Sequence, residues 1–480
     1  MGLMRRSLPG LRTSASATPA PRAVPLPRRC GGNHGSPGTA RAGQPDRAGQ
    51  GVRDHAPAIG RRPGMPRAAA AKPDLILRRE HHQPDWSILI AVVALSAIGI
   101  LMVYSSSAMR AYVQQDDTLA IVGPQILWGA LGVLTMLVVM RLDYRYLRLV
   151  SLVAYLAAVV LLVLVFVPGL GRVVGGSARW LVIGPLPAIH PAEIAKLALV
   201  VYLAHWLASR GTRIAGFRSG TIPFLLITLP VVGLVFREPD LGTTTVIAAT
   251  AFAMFFVSGA RLWQFGAMAV LGVVAALVVG LREYQLQRIR TFLDPWQDPL
   301  GTGFHTIQGL LALGLGGVFG AGLGESKLAG GLYLPNAWND FIFAIIGEEF
   351  GFVGAGLVVV LFLLLAYAGI RTALRAPDTF GALLALGITA WICIQAFINI
   401  GVVVALLPVT GITLPFISAG GSSLIISFAA AGILLSISRE TVERTNQETD
   451  APADRGRGNG RPHLPGSRRR GLPPTPTEPA

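Results

Sequence analysis

Asp340 is the side chain in this sequence best placed to do chemistry. It lies in Leu334-Pro335-Asn336-Ala337-Trp338-Asn339-Asp340-Phe341-Ile342-Phe343, where a mixed stretch gives way to a long apolar one. A carboxylate at such a boundary, facing a cavity, can act as a general base. An acid at a helix start is also a routine cap, and the residues alone leave both roles open. Glu193 and Lys196 follow His190-Pro191-Ala192. Three positions apart on a helix, they share one face. Charge inside an apolar span costs roughly 3 kcal/mol or more unless paired or hydrated. The pair therefore reads as a self-satisfied ion pair, as the wall of a polar cavity, or as both.

Other polar residues interrupt apolar stretches. Glu348 and Glu349 are adjacent, so on a helix they point roughly 100° apart. One is expected to face the interior near Lys196 and the other the interface. Asp240 follows Pro239 and is placed to cap a helix. Gln395 and Asn399 lie one turn apart, suited to interhelical hydrogen bonds. Arg282, Arg288 and Arg290 form a local cationic cluster, with Lys327 further on. They read either as surface ion-pair partners of the nearby acids or as a phosphate site, since guanidinium holds phosphate in a bidentate way. Gly316, Gly317, Gly320, Gly322 and Gly324 indicate closely approaching or flexible backbone and lack the ending of a P-loop. Thr413 to Ser423, which includes Ser418 and Ser422, reads as irregular backbone. At membrane depth such backbone is tolerated only against protein or a polar cavity.

The elements that must hold these residues are apolar helices. The chain has 480 residues, 52% of them hydrophobic and 14% charged, against about a quarter charged in soluble domains. Its fold class is all-α: a polytopic membrane protein. About ten spans are expected near 87–108, 120–140, 149–168, 189–207, 222–236, 240–258, 262–281, 341–370, 381–407 and 415–437. The fifth is short and is broken from the sixth at Arg237-Glu238-Pro239-Asp240. Basic loops after spans two, four and eight fall on one side together with both basic tails, which makes that side cytoplasmic. The long loop 282–340 then faces outward.

Residues 1–84 and 439–480 read as disordered cytoplasmic tails around a transmembrane domain at 85–438. An arginine-rich start also fits a transit peptide, and Met65 is an alternative start nearer the first span. The net charge of +16 is concentrated in those tails. It is better read as facing anionic headgroups than nucleic acid. Cys30 and Cys393 are not placed to form a disulfide or a metal site.

Taken together the motifs resemble one family, the SEDS proteins (shape, elongation, division, sporulation), and FtsW more than RodA. The resemblance is carried by Pro335 to Phe350, by Leu407-Pro408-Val409-Thr410-Gly411-Ile412-Thr413-Leu414-Pro415-Phe416-Ile417-Ser418 with Gly420-Gly421-Ser422-Ser423, and by three shorter matches. These are Pro239-Asp240-Leu241-Gly242-Thr243, Ser177-Ala178-Arg179-Trp180 and Asp294-Pro295-Trp296. It covers about residues 85–438. It implies a ten-span fold with both termini cytoplasmic, and a peptidoglycan glycosyltransferase polymerising lipid II during cell division at the outer face of the bacterial inner membrane. The donor would be glycan linked to undecaprenyl pyrophosphate. The family's catalytic aspartate falls on Asp340, its Glu–Lys pair on Glu193 and Lys196, and its outer Arg-Trp element on Arg179. With Asp240, Arg288, Arg290, Lys327, Ser418 and Ser422 these make up the expected substrate site. Mg²⁺ or Mn²⁺ could share the charge stabilisation. A class B penicillin-binding protein and other division proteins are the implied partners.

The chain departs from the family pattern in places. His190 and Ala192 replace the usual Gln and Ser, and Ala419 replaces a Tyr. Asn336-Ala337-Trp338-Asn339 replaces Glu-Ala-His-Thr, which puts a proton shuttle at position 338 in question. A lipid II flippase and a non-catalytic scaffold for the transpeptidase are the competing readings.

Overall fold

The computed structural model describes residues 83–440 except 175–176, 183–187, 280–282, 332 and 336. Residues 1–82 and 441–480 of the two expected tails, with Cys30 and Arg282, lie outside the described residues, while α13 continues to Arg439.

Three helices open the chain: α1 (Trp86–Gln115), α2 (Val122–Arg141) and α3 (Arg145–Leu164). A two-stranded antiparallel hairpin follows, β1 (Gly171–Val174) and β2 (Ser177–Leu181), with Gly171 opposite Leu181. Then come α4 (Pro191–Arg210), α5 (Ile222–Arg237), α6 (Leu241–Val257) and α7 (Leu262–Val279). The long loop after α7 folds into α8 (Glu283–Leu293), α9 (Phe304–Gly316) and the single turn α10 (Lys327–Gly330). Three long helices end the bundle: α11 (Ile342–Arg375), α12 (Thr379–Val403) and α13 (Gly421–Arg439).

Apolar residues sit on both the inner and outer faces of these helices, as in a bundle solvated by lipid. Leu149 and Phe352 are 78% and 77% exposed, while Leu162 and Leu365 are fully buried. Among the described residues eight helices are long and apolar enough to cross a bilayer. The two other expected spans, α6 and α7, are shorter, at 17 and 18 residues. A π-helical turn at Phe217–Thr221 lengthens α5, and the break between α5 and α6 falls where expected, after Arg237. The chain is a multi-pass membrane protein.

α4, α12 and α13 are the most buried of the spans, and small residues on α12 and α13 let neighbouring helices approach them. A side chain at Gly387 would meet Met254 and Val200, and one at Gly432 would meet the backbone of Met136.

The glycine-rich segment has a specific job. α11 is broken at Gly351, where φ is +65°, so the carbonyls of Glu348 and Glu349 lose their helical donors. The amides of Ala321 and Gly322 take them over at 2.9 and 3.0 Å. In return Phe352 and Val353 donate to the carbonyls of Gly317 and Val318. This needs backbone against backbone: a Cβ at Gly316 or Gly320 would lie 1.8 or 2.1 Å from a carbonyl oxygen of α11.

Glu348 and Glu349 are not where the sequence reading put them. Both are buried, and neither meets Lys196. Glu348 accepts from Ser326 Oγ at 2.5 Å and from the amide of Lys327 at 2.8 Å, fixing the start of α10. Glu349 accepts from Ser105 Oγ of α1 at 2.5 Å. The acids answer the donors of the loop that folds back after α9 and of α1, which sequence spacing does not reveal.

Candidate active-site cleft

The N-termini of α4, α6, α11 and α13 converge at one end of the bundle. A cleft of about 410 Å³ opens there, lined by residues of the first turns of α4, α6 and α13, by β2, and by Asn339 and Asp340 just before α11. Unpaired amides and aligned peptide dipoles make helix N-termini favourable to anions.

Asp340 sits half-buried in this cleft and is fixed through its backbone. Asn399 Nδ2 on α12 donates to the carbonyl of Asp340 at 2.9 Å and to that of Ile412 at 2.8 Å. Ser418 Oγ donates to the carbonyl of Asn339 at 2.6 Å and accepts from the amide of Leu414 at 2.8 Å. Burial raises the Asp340 carboxyl above its ordinary range. Its own backbone amide, His305 and Arg288 oppose that shift without cancelling it, and the carboxyl stays raised.

Glu193 and Lys196 form a buried pair at 2.9 Å in the wall of the same cleft, so both roles read from the sequence hold together. Lys196 also donates to Gln395 Oε1 at 2.7 Å and lies 5.1 Å from the ring centroid of Trp391. Gln395 passes the connection on, donating to the carbonyl of Thr413 at 2.9 Å. Gln395 thus takes the expected interhelical bond from α4, and together with Asn399 it also braces the irregular Ile412–Thr413 backbone.

Asp240 caps α6, accepting from the amide and hydroxyl of Thr243 at 3.0 and 2.9 Å, and it also lines the cleft. His190 stands 3.8 Å from it. Burial lowers the His190 imidazole despite the opposing pull of Glu193 and Asp240. Arg179 on β2 clamps the α5–α6 corner, donating from Nε to the carbonyl of Glu238 at 3.2 Å and from Nη2 to that of Pro239 at 2.5 Å. Beneath that corner Glu238 is buried with neither carboxyl oxygen hydrogen-bonded. Burial first, and Asp240 second, push its pKa to about 8 against the influence of Arg179.

The structure brings together Asp340, Arg179, Glu193, Lys196, Asp240 and Ser422, and leaves other expected residues apart. Arg288 donates to the carbonyl of Val409 at 3.0 Å, close enough for its charge to act on Asp340. Arg290 is exposed and faces Glu283 at 3.7 Å, so the arginines do not converge on one anion. Lys327 is exposed and lies outside the cleft lining; its fixed contribution is its amide. Ser418 serves the backbone rather than the cleft. Trp338, two positions before Asp340, lies 5.3 Å below the guanidinium of Arg110. Sequence reasoning passed over His305 and the cleft role of Gln395. The signal available for His305 was an imidazole near the start of an otherwise mostly apolar helix.

Among the described residues no three His, Cys, Asp or Glu side chains are grouped to hold a metal ion. Glu193 is paired with Lys196, and Asp240 is engaged with Thr243. These donors do not make a built cage for Mg²⁺ or Mn²⁺.

This architecture has known counterparts. Stage V sporulation protein E of Bacillus subtilis is 44% identical over 357 residues, covering 74% of this chain and 97% of that protein. A protein of Mycobacterium tuberculosis named probable peptidoglycan glycosyltransferase FtsW is 37% identical over 410 residues, 84% of this chain and 78% of its own length. Among solved structures, the rod shape determining protein RodA of Thermus thermophilus superposes with a TM-score of 0.55 at 29% identity, covering 75% of this chain and 98% of that one. A chain from a study of polymerization and crosslinking by a peptidoglycan synthase complex superposes at 0.61 with 33% identity, covering 74% and 98%. The family model described as cell cycle protein, FtsW/RodA/SpoVE, matches residues 85–443, and the chain belongs to that family.

Proposed function

We propose that this chain is a peptidoglycan glycosyltransferase that polymerises lipid II into β-1,4 glycan at the outer face of the bacterial cytoplasmic membrane during division. In this reading both termini are cytoplasmic, the enzyme works at the septum, and a class B penicillin-binding protein is its partner. The observation that carries it is a carboxylate, Asp340, held by its backbone in a cleft where helix N-termini and cationic side chains meet.

The glycan strand on undecaprenyl pyrophosphate is the donor and incoming lipid II the acceptor. Asp340 takes the proton of the acceptor GlcNAc 4-hydroxyl as that oxygen bonds to the anomeric carbon. The bond from that carbon to pyrophosphate breaks with inversion, and the electron pair leaves on the pyrophosphate. Such a leaving group needs charge stabilisation more than a proton. Arg179, Lys196 and the first turns of α4, α6 and α13 line the space for it, with Arg288 near Asp340.

The test is strand formation from purified lipid II in detergent. Wild-type protein is expected to make glycan and Asp340→Asn none. A wild type that makes no strands but moves lipid II across vesicles would establish the flippase. Full complementation of a depletion strain by Asp340→Asn would establish the scaffold.

A further inference from the structure

A second cavity lies apart from the cleft, between α1 and the turn that leads into α10. Its volume is about 560 Å³, and Glu349 of α11 is part of its lining. We infer that this groove binds the headgroup of an aminophospholipid, with Glu349 accepting a hydrogen bond from the primary ammonium. No residue of the groove lines the cleft, so the site is independent of the reaction proposed above.

Two contacts between α1 and α11 fix the level of the groove in the membrane. Arg371 pairs with Asp85 at the start of α1, and Ser105 bonds Glu349 further along. The twenty residues from Asp85 to Ser105 rise about 30 Å, the thickness of a bilayer's hydrocarbon core. Trp86, 57% exposed, is the kind of side chain that marks one boundary of that core. Glu349 therefore lies at the opposite boundary, where headgroups begin, at the end of the bundle that carries Asp340.

The bonding of Glu349 is incomplete. The residue is 1% exposed; Oε1 accepts from Ser105 Oγ at 2.5 Å, and Oε2 is buried with no hydrogen-bond partner. The amides of Gly324 and Ser326 turn toward the carboxylate without closing a bond to that oxygen. Neighbouring Glu348 is already answered by Ser326 Oγ and the Lys327 amide. Among the described residues no Lys or Arg forms an ion pair with Glu349. An unanswered buried carboxylate oxygen costs free energy that a positively charged donor offsets.

The walls select a lipid rather than a free solute. Leu101, Tyr104, Met109, Tyr112 and Leu323, each about half exposed, line the groove from α1 and from the turn before α10. Tyrosines at this level suit the boundary between headgroup and chain, and their ring faces attract a cation. A glycerophospholipid presents what these surfaces take: apolar chain beside Leu101, and an ammonium at the level of Glu349. An anionic headgroup would meet an unpaired carboxylate of like charge. A primary ammonium fits better than a trimethylated one, because it has N–H groups to donate.

The experiment uses full-length protein reconstituted into vesicles of equal parts phosphatidylethanolamine and phosphatidylcholine with identical chains. The protein is extracted in mild detergent, and the lipid that stays bound is identified by mass spectrometry. Both lipids are zwitterionic, so general attraction to arginine-rich loops favours neither. Wild type is expected to retain the ethanolamine lipid about tenfold over the choline lipid, as for one charge-assisted hydrogen bond. Glu349→Gln should abolish that preference. Gly330→Phe should abolish it too, filling the groove from a position where an added Cβ meets nothing within 4 Å and leaving Glu349 intact. Equal retention of the two lipids by wild type overturns the inference, and that comparison needs no variant to fold. A preference that survives either substitution, at a melting temperature within a few degrees of wild type, overturns it as well. Photo-crosslinking from position 323 that captures a protein chain in place of lipid would assign the groove to a partner's helix and overturn it in the same way.

Discussion

Asn399 on α12 reaches the backbone carbonyl of Asp340 with one amide hydrogen and that of Ile412 with the other, at 2.9 and 2.8 Å. One side chain thus fixes two irregular segments against each other across the cleft. A base is useful only while its oxygen stays within hydrogen-bond reach of the proton it removes. Asn399→Ala frees both carbonyls, and we expect the turnover rate to fall about ten- to hundredfold, as for the loss of one or two buried hydrogen bonds. The KM for lipid II should change little, because Asn399 holds the base rather than the substrate. A rise in KM at unchanged kcat would show that it acts on binding instead.

The Glu193–Lys196 pair is buried at both ends, so breaking it from one side is costly. Lys196→Met leaves a buried carboxylate without a cation and removes a donor from Gln395. The expected loss is about 3–5 kcal/mol, read as a lower melting temperature in detergent. Glu193→Gln with Lys196→Met removes both charges and should recover most of that loss. Its activity should stay low if the lysine charge serves the leaving pyrophosphate. A double variant as unstable as the single one would contradict the pairing.

Glu238 makes stability fall with rising pH. Its folded pKa of about 8 lies above the ordinary 4.5. The folded state therefore favours the protonated form. Its contribution is fully present below pH 4.5 and is lost as pH climbs through about 8. Glu238→Gln keeps the shape and cannot ionise. Melting curves of the two proteins should agree near pH 5 and diverge by pH 9, with wild type lower by an amount on the order of 3 kcal/mol. Parallel curves would mean that the carboxyl is not held neutral.

The spans and Asp340 were legible because each is local: a run of apolar residues, and an acid where such a run begins. The Glu193–Lys196 pair was legible for the same reason, since helical spacing alone brings the two together. The partners of Glu348 and Glu349 were not. Ser105 is 244 positions from Glu349, and Ser326 reaches Glu348 only because the loop after α9 folds back on α11. Charge type misled for Lys327 and Arg290, since a cation in the right loop carries no information about which way it faces. Ser418 sits in the right motif, yet its hydroxyl is spent on the carbonyl of Asn339. His305 was missed because its meaning depends on α9 lying against Phe341.

The glycines of α9 and the segment after it separate two kinds of position in one short stretch. Gly320 has φ +83° and would place a Cβ 2.1 Å from the carbonyl of Glu349. Gly314 is inside α9 with nothing within 4 Å of its would-be Cβ. Gly320→Ala should destabilise by about 1–3 kcal/mol from the backbone alone. It should also push the Ala321–Gly322 amides off α11, exposing the loop to protease. Gly314→Ala should stabilise by up to about 1 kcal/mol, because alanine is the better helix former and meets no obstacle. Melting temperature and limited proteolysis read both. Equal effects of the two substitutions would show that the segment is merely flexible, and that the glycines do not let it pair with the broken turn of α11.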